Sequence, residues 1–167
     1  MFRNLIAFPL LALVIIVQST VISRMTLLAG YADLMLVVLA AWALKADASS
    51  AWLWAILCGV MVSFVSRLPW PVAMTGYLFV VLLAQLLRQR VWQAPLLAMF
   101  SVTFIGTLTM DVLALIILNL LGTPLPIGES LGLIVLPSVL LNLLFAVPVY
   151  AMVRDLAQWV SPVQEVE

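Results

Sequence analysis

The stretch LPSVLLNLLFAVPVYAMVR, residues 136–154, closes the last apolar segment of the chain, which begins at Leu131. At about 1.5 Å per residue, this segment is long enough to cross the roughly 30 Å hydrocarbon core of a bilayer as a helix. Pro148 removes a backbone donor and is expected to bend that helix. Every fourth position carries one of the residues Ser138, Asn142, Ala146, Tyr150 and Arg154. They share one side of the helix, which we expect to pack against other helices.

The composition excludes an ordinary soluble domain and several classes of function. Hydrophobic residues make up 66% of the chain and charged residues 8%, with a mean hydropathy of +1.29. Soluble domains carry about a quarter charged residues. The seven basic and seven acidic residues balance, so nothing favours nucleic acid, and histidine is absent. We therefore expect an all-α integral membrane protein that is not an enzyme and holds no cofactor or metal.

Six apolar segments predict six transmembrane helices in a single domain over residues 1–160. The expected spans are 5–22, 27–45, 51–66, 71–87, 95–121 and 131–153, and residues 161–167 form a short tail. The second apolar run starts at Leu34 and is short unless its helix begins near Leu27. Asp33 precedes it and belongs to a residue type favoured at helix N-caps. Two interpretations of this segment remain, a full crossing and a re-entrant loop.

The basic residues predict the orientation of a six-span chain. The inner side would receive Arg3, Lys45, Arg88, Arg90 and Arg154, and the outer side Arg24 and Arg67. Because cytoplasmic loops carry the excess of lysine and arginine, both termini are predicted to be cytoplasmic.

Asp111 is the acid that the sequence places deepest in an apolar segment. It lies about ten residues from the end of the fifth segment, near the middle of the bilayer. A charged aspartate there costs about 2.5–3.5 kcal/mol on insertion scales. It could belong to a ligand pocket, a proton step or a partner contact, or it could hold helices together by a hydrogen bond. We predict one internal polar cluster that fixes the fifth and sixth helices: Asp111, Asn142, Thr107 and Ser138.

Two stretches resemble the family of the rod shape-determining protein MreD, a small bacterial membrane protein. Gln18, Ser19 and Thr20 are followed by a short loop and by residues 32–36, ADLML, which carry Asp33. This pattern is similar to the family's Q-S-T … P-D-L-L-L passage. The last segment is similar to the family's closing helix at Pro137, Ser138, Asn142, Pro148, Val149 and Tyr150.

A third stretch, residues 59–71, is similar to the family's G-L-L-x-D-x-L-S-G-x-P-L-G passage but departs from it. Gly59, Ser66 and Pro69 are kept. Ser63 stands where the family often has aspartate, and Arg67 and Pro71 stand where it has glycine. No role that depends on an acid in the third span follows for this chain.

The resemblance implies a non-catalytic scaffold of the bacterial cell-elongation (rod) complex in the cytoplasmic membrane, acting in peptidoglycan synthesis and cell shape. The implied partners are MreC and, through it, RodA, a class B penicillin-binding protein and the actin-like MreB. The implied fold is similar to the six-helix substrate-binding components of energy-coupling-factor transporters.

That fold similarity supplies the alternative function, a vitamin-binding transporter component. Such a pocket needs several polar and aromatic side chains in the outer loops. The outer loops here offer Tyr31, Arg67, Trp70 and Glu129. An ion-coupled carrier would need more intramembrane ionisable groups than Asp111.

Overall fold

A computed structural model describes residues 7–24, 26–45, 48–66, 69–88, 94–123 and 126–160 of the chain. The predicted tail 161–167 and the basic residues Arg3, Arg67 and Arg90 lie outside the described residues. Within them the secondary structure is helical, apart from one isolated backbone bridge between Leu27 and Gly30. The all-α prediction is confirmed for this part of the chain.

The helices follow the predicted apolar segments. Helices α1 to α5 span Ala7–Thr20, Leu34–Lys45, Ala48–Val65, Trp70–Leu87 and Pro95–Leu120. Three consecutive segments, Ile127–Ser130, the π-helical turn Leu131–Val135 and Leu136–Val160, are together called α6. Pro148 lies inside the last of them. Residues 26–33, at the start of the predicted second span, form a loop, and the helix of that span begins only at Leu34. This loop is called the outer loop after its predicted position.

Three helices are long and apolar enough to cross a membrane. They are α4, α5 and, within α6, the stretch Gly128–Gln158. Helices α1, α2 and α3 are apolar but shorter by this measure. Large apolar side chains point outward, with Phe64 86%, Leu120 80% and Met152 72% exposed. These features are consistent with a membrane protein.

Helix α2 forms the centre of the bundle. Its ten residues 35–44 are all buried, and each of the other five helices contacts it. Its sequence LMLVVLAAWALK is apolar on every side, as expected of a helix surrounded by protein. Trp42 of α2 stacks on Trp54 of α3 with ring centroids 4.1 Å apart. Indoles near the ends of apolar segments favour the membrane interface, which predicts that position for Trp54 at the start of the third segment. The prediction is wrong, since that side chain is fully buried.

Glycines bring neighbouring helices close together. A Cβ at Gly106 of α5 would lie 2.8 Å from a methyl of Val80 in α4, and one at Gly59 of α3 would lie 3.0 Å from the sulfur of Met74. Small residues allow this approach between apolar helices. Gly128 and Gly132, which have GxxxG spacing, have no described atom within 4 Å of an added Cβ. The GxxxG pair therefore makes no close helix contact within this structure.

Candidate functional site

The polar side chains of the interior meet around the N-terminus of α2. The Leu36 backbone N–H donates to Oδ1 of Asp33 at 3.0 Å, and the Tyr77 hydroxyl donates to Oδ2 at 2.9 Å. Both oxygens of this carboxylate are therefore engaged. The first bond confirms the predicted N-cap, because a cap side chain accepts from the third residue of the helix. Gln18 of α1 adds a second cap, its Oε1 accepting the Met35 N–H at 3.1 Å.

Asn142 connects α6 to two other parts of the bundle. Its Oδ1 accepts the Asp33 backbone N–H at 2.7 Å, and its Nδ2 donates to Oγ1 of Thr107 in α5 at 2.8 Å. Asn142 and Thr107 are both buried. The structure thus brings these two predicted residues into direct contact and ties α5, α6 and the start of α2 together.

The outer loop is attached to the π-helical turn of α6. Pro137 has no N–H, so the Leu133 carbonyl lacks its usual donor four residues ahead in the helix. The Ala29 N–H of the loop donates to this carbonyl at 3.0 Å, and the Tyr31 N–H donates to Oγ of Ser138 at 3.2 Å. Gly30, between Ala29 and Tyr31, packs directly against α6. An added Cβ at this residue would lie 2.6 Å from the Ile134 carbonyl oxygen. Residue 30 therefore has no room for a side chain.

Asp111 lies on the same cavity as Asp33 but outside the hydrogen-bonded chain. The cavity has a volume of about 220 Å³, and its lining includes Asp33, Thr107, Asp111, Ser138 and Asn142. Oδ2 of Asp111 is buried and has no hydrogen-bond partner. The amide of Asn142 is occupied by Thr107 and by the Asp33 backbone. All four residues of the predicted cluster line one cavity, and the hydrogen bonds of Asn142 go to Thr107 and to the Asp33 backbone.

The remaining predicted positions lie elsewhere. The ring of Tyr150 is 5.5 Å from Nζ of Lys45 at the far end of α2, and its buried hydroxyl has no partner. Pro148 lines an apolar groove of about 570 Å³ between α1 and α6. The Ser19 hydroxyl donates to the Ile16 carbonyl of its own helix at 3.1 Å. Tyr150 and Pro148 thus lie outside the cavity that the predicted cluster lines.

Tyr77 is a site residue that the apolar pattern of the sequence does not reveal. This tyrosine is fully buried in the middle of α4 and provides the second donor to Asp33. A hydroxyl-bearing aromatic inside an apolar run was the available signal, because a buried tyrosine hydroxyl normally finds a partner. Among the described residues, no group of three or more histidine, cysteine, aspartate or glutamate side chains could hold a metal ion.

Comparison with known proteins gave no match to a family model, to a curated protein or to a solved structure. Fold and site together describe an all-helical protein with three membrane-length helices, built around a buried helix whose N-terminus is capped by polar side chains of the bundle.

Proposed function

We propose that this chain is a non-catalytic membrane scaffold of the bacterial rod complex, similar to the MreD family. In this proposal it crosses the cytoplasmic membrane six times with both termini inside. It binds the transmembrane helix and adjacent region of MreC. Through MreC it supports RodA, a class B penicillin-binding protein and MreB in peptidoglycan synthesis and the control of cell shape.

The observation that carries this proposal is that polar groups in the interior hydrogen-bond within the bundle. Asp33, Tyr77, Asn142 and Thr107 bond to one another or to backbone, and together they join α2, α4, α5 and α6. Interhelical hydrogen bonds of this kind hold transmembrane bundles together. Large apolar side chains remain on the outside, where lipid or an apolar partner helix would meet them. A bundle fixed from within, with an apolar exterior, suits a docking subunit.

The direction of α2 supports six crossings. Tyr31 and Asp33 at its start contact Ser138 and Asn142 of α6, and Lys45 at its end lies over Tyr150. Helix α2 therefore runs parallel to the membrane-length α6 from one end to the other. A chain that crosses at each of its six helices makes its second and sixth helices parallel. A full crossing is thus favoured over re-entry for the second segment.

The alternative, a vitamin-binding transporter component, has one observation in its favour. A recess of about 380 Å³ lies beside Tyr31, between α1 and α3, and its lining includes Gln18 and Ser19. Pockets for small molecules measure roughly 300–1,000 Å³, so this recess falls at the lower end. The cavity that contains both aspartates, at about 220 Å³, is below that range.

Affinity purification from native membranes tests the two candidates together. The tagged chain would be extracted in a mild detergent and its stoichiometric companions identified, with an unrelated tagged membrane protein as the control. The scaffold proposal expects a single-span MreC-type protein. Recovery of a pair of transporter ATPases would overturn it in favour of the alternative.

Cell shape provides an independent readout in the native host. Depletion of the chain is expected to convert rod-shaped cells to round ones, and re-expression is expected to restore the rods. Cells that stay rod-shaped after complete depletion would contradict the proposed role.

A further inference from the structure

The cavity beneath the outer loop combines acidic and apolar walls. It lies between the outer loop, α2, α5 and α6, and has a volume of about 220 Å³. Its polar lining is Tyr31, Asp33, Thr107, Asp111, Ser138 and Asn142. Its apolar lining comes from residues such as Met110, Ala114 and Leu118 of α5. The described lining includes no lysine or arginine.

One acceptor in this lining is left without a donor. Both oxygens of Asp33 accept hydrogen bonds, and both side-chain atoms of Asn142 are engaged. Oδ2 of Asp111, in contrast, has less than 1 Å² of accessible surface and no partner. Removing a carboxylate from water without a compensating donor or charge is costly. A donor that enters the cavity next to Asp111, preferably a cationic one, would offset this cost.

The size and the lining narrow the class of ligand. One water molecule occupies about 30 Å³ in the liquid, so the cavity has room for roughly seven such volumes. This is less than a vitamin or a nucleotide needs. A metal ion would want more ligating side chains than the two aspartates. A short alkyl group with one charged nitrogen head matches a lining in which apolar residues of α5 lie next to Asp111.

We propose that this cavity binds one small organic cation, an ammonium or guanidinium group on a short alkyl chain, with the carboxylate of Asp111 as its counterion. Tyr31 is 44% exposed and also lines the neighbouring recess, so it marks the side from which the cation enters. This site is independent of the scaffold function. The cation is either a free amine or the end of a lysine or arginine side chain from another polypeptide.

Thermal unfolding of the purified full chain in detergent tests the site. The probes are propylammonium and propylguanidinium chloride, with sodium chloride at equal ionic strength and neutral 1-propanol as controls. A ligand that binds only the folded state raises Tm by an amount that grows with the logarithm of its concentration above Kd, here by about 5 °C or more at roughly 100 times Kd. We expect this rise with at least one cationic probe and with neither control.

Matched variants locate the binding. Asp111→Asn is expected to abolish the rise in Tm, whereas Asp155→Asn, which changes an exposed acid paired with Arg154 on α6, keeps it. Should Asp111→Asn fail to fold, Ala114→Leu fills the cavity from the same face of α5, one turn away, and is expected to abolish the rise as well. A wild type whose Tm does not rise with either cationic probe, or a rise that survives both Asp111→Asn and Ala114→Leu, would overturn the proposal.

Experiments on the chain extracted from native membranes distinguish a free amine from a lysine or arginine side chain. Native mass spectrometry of the extracted chain is expected to show a small amine adduct that Asp111→Asn loses, if the ligand is free. A photo-crosslinker at position 114 that captures a second polypeptide through a lysine or arginine indicates a side chain instead. Neither an adduct nor a crosslink, together with no rise in Tm, contradicts the site.

Discussion

Asp33 and Asp111 line the same cavity, but the protein uses them differently. Asp33 precedes α2 and has a donor for each carboxylate oxygen, one from the backbone of Leu36 and one from Tyr77. Asp111 lies in the middle of α5, and its Oδ2 has none. The two acids share a cavity and a chemistry, and they differ in their neighbours.

The comparison shows that depth in an apolar segment does not by itself make an acid structural. The free N–H groups at a helix start need acceptors, so an acid at that position has partners supplied by the backbone. An acid in mid-helix faces a backbone that is already fully bonded and must find a side chain. Asp33 is therefore part of the frame of the bundle, and Asp111 is available to bind something else.

The largest effect is expected from Asp33→Ala. This change removes the cap of α2 and leaves the buried Tyr77 hydroxyl without an acceptor, which together cost about 2–4 kcal/mol of unfolding free energy. Asp33→Asn keeps the cap, and its amide can donate to the Tyr77 oxygen, so it is expected to recover most of the loss. Equilibrium unfolding in mixed detergent micelles measures both. Equal losses for the two variants would mean that charge, not the cap, is what matters.

A smaller loss is expected from Gly30→Ala, which pushes the outer loop away from α6. The new methyl would meet backbone atoms of Ile134 and Ser138 under 3 Å away, and such overpacking costs about 1–3 kcal/mol. Gly128→Ala is the matched control, because no described atom lies within 4 Å of its added Cβ. The control should be neutral or more stable by up to about 1 kcal/mol, since alanine favours the helix. Similar losses for both variants would refute the close contact of the loop with α6.

The bond between Asn142 and Thr107 is expected to contribute about 1 kcal/mol. A double-mutant cycle with Asn142→Leu and Thr107→Val isolates their coupling, and interhelical polar pairs in a membrane average about 0.6 kcal/mol with a maximum near 1.7. Thr109→Val is a matched control on the same helix. Additive effects for Asn142 and Thr107 would show that their contact carries no energy.

The smallest effect is expected from Asp111→Asn in the absence of any added ligand. Its Oδ2 makes no hydrogen bond, so unfolding free energy should fall by no more than about 0.5 kcal/mol, and the loss of an uncompensated buried charge acts in the stabilising direction. The same equilibrium unfolding assay measures the effect of this substitution. A loss of unfolding free energy as large as that of Asp33→Ala would mean that Asp111, like Asp33, holds the bundle together.

The sequence predicted the helical class, the six apolar helices and the N-cap at Asp33, because each depends on local pattern. It also placed Asn142 and Thr107 in one cluster, since both interrupt apolar runs. It could not show that Asn142 bonds to the Asp33 backbone, a contact between residues 109 positions apart. Nor could it show that Tyr77 reaches Asp33, or that Trp54 is buried, because both depend on how helices pack around α2.

The sequence also could not show which group donates a hydrogen bond to the Leu133 carbonyl. Pro137 in the sequence indicates that this carbonyl lacks its usual helical donor. The sequence does not indicate that the Ala29 N–H donates to it instead. In the outer loop, Gly30 is the one residue type that indicates a close backbone contact. Long-range closure of this kind is decided by the three-dimensional path of the chain.

The most direct measurement compares Asp33→Ala and Asp111→Ala side by side, by unfolding free energy in one detergent at one pH. If Asp33 holds the bundle together and Asp111 does not, Asp33→Ala is less stable than Asp111→Ala by at least about 2 kcal/mol, and Asp111→Ala is equal to the wild type or more stable. Equal stabilities, or a larger loss for Asp111→Ala, would contradict the division of roles between the two acids.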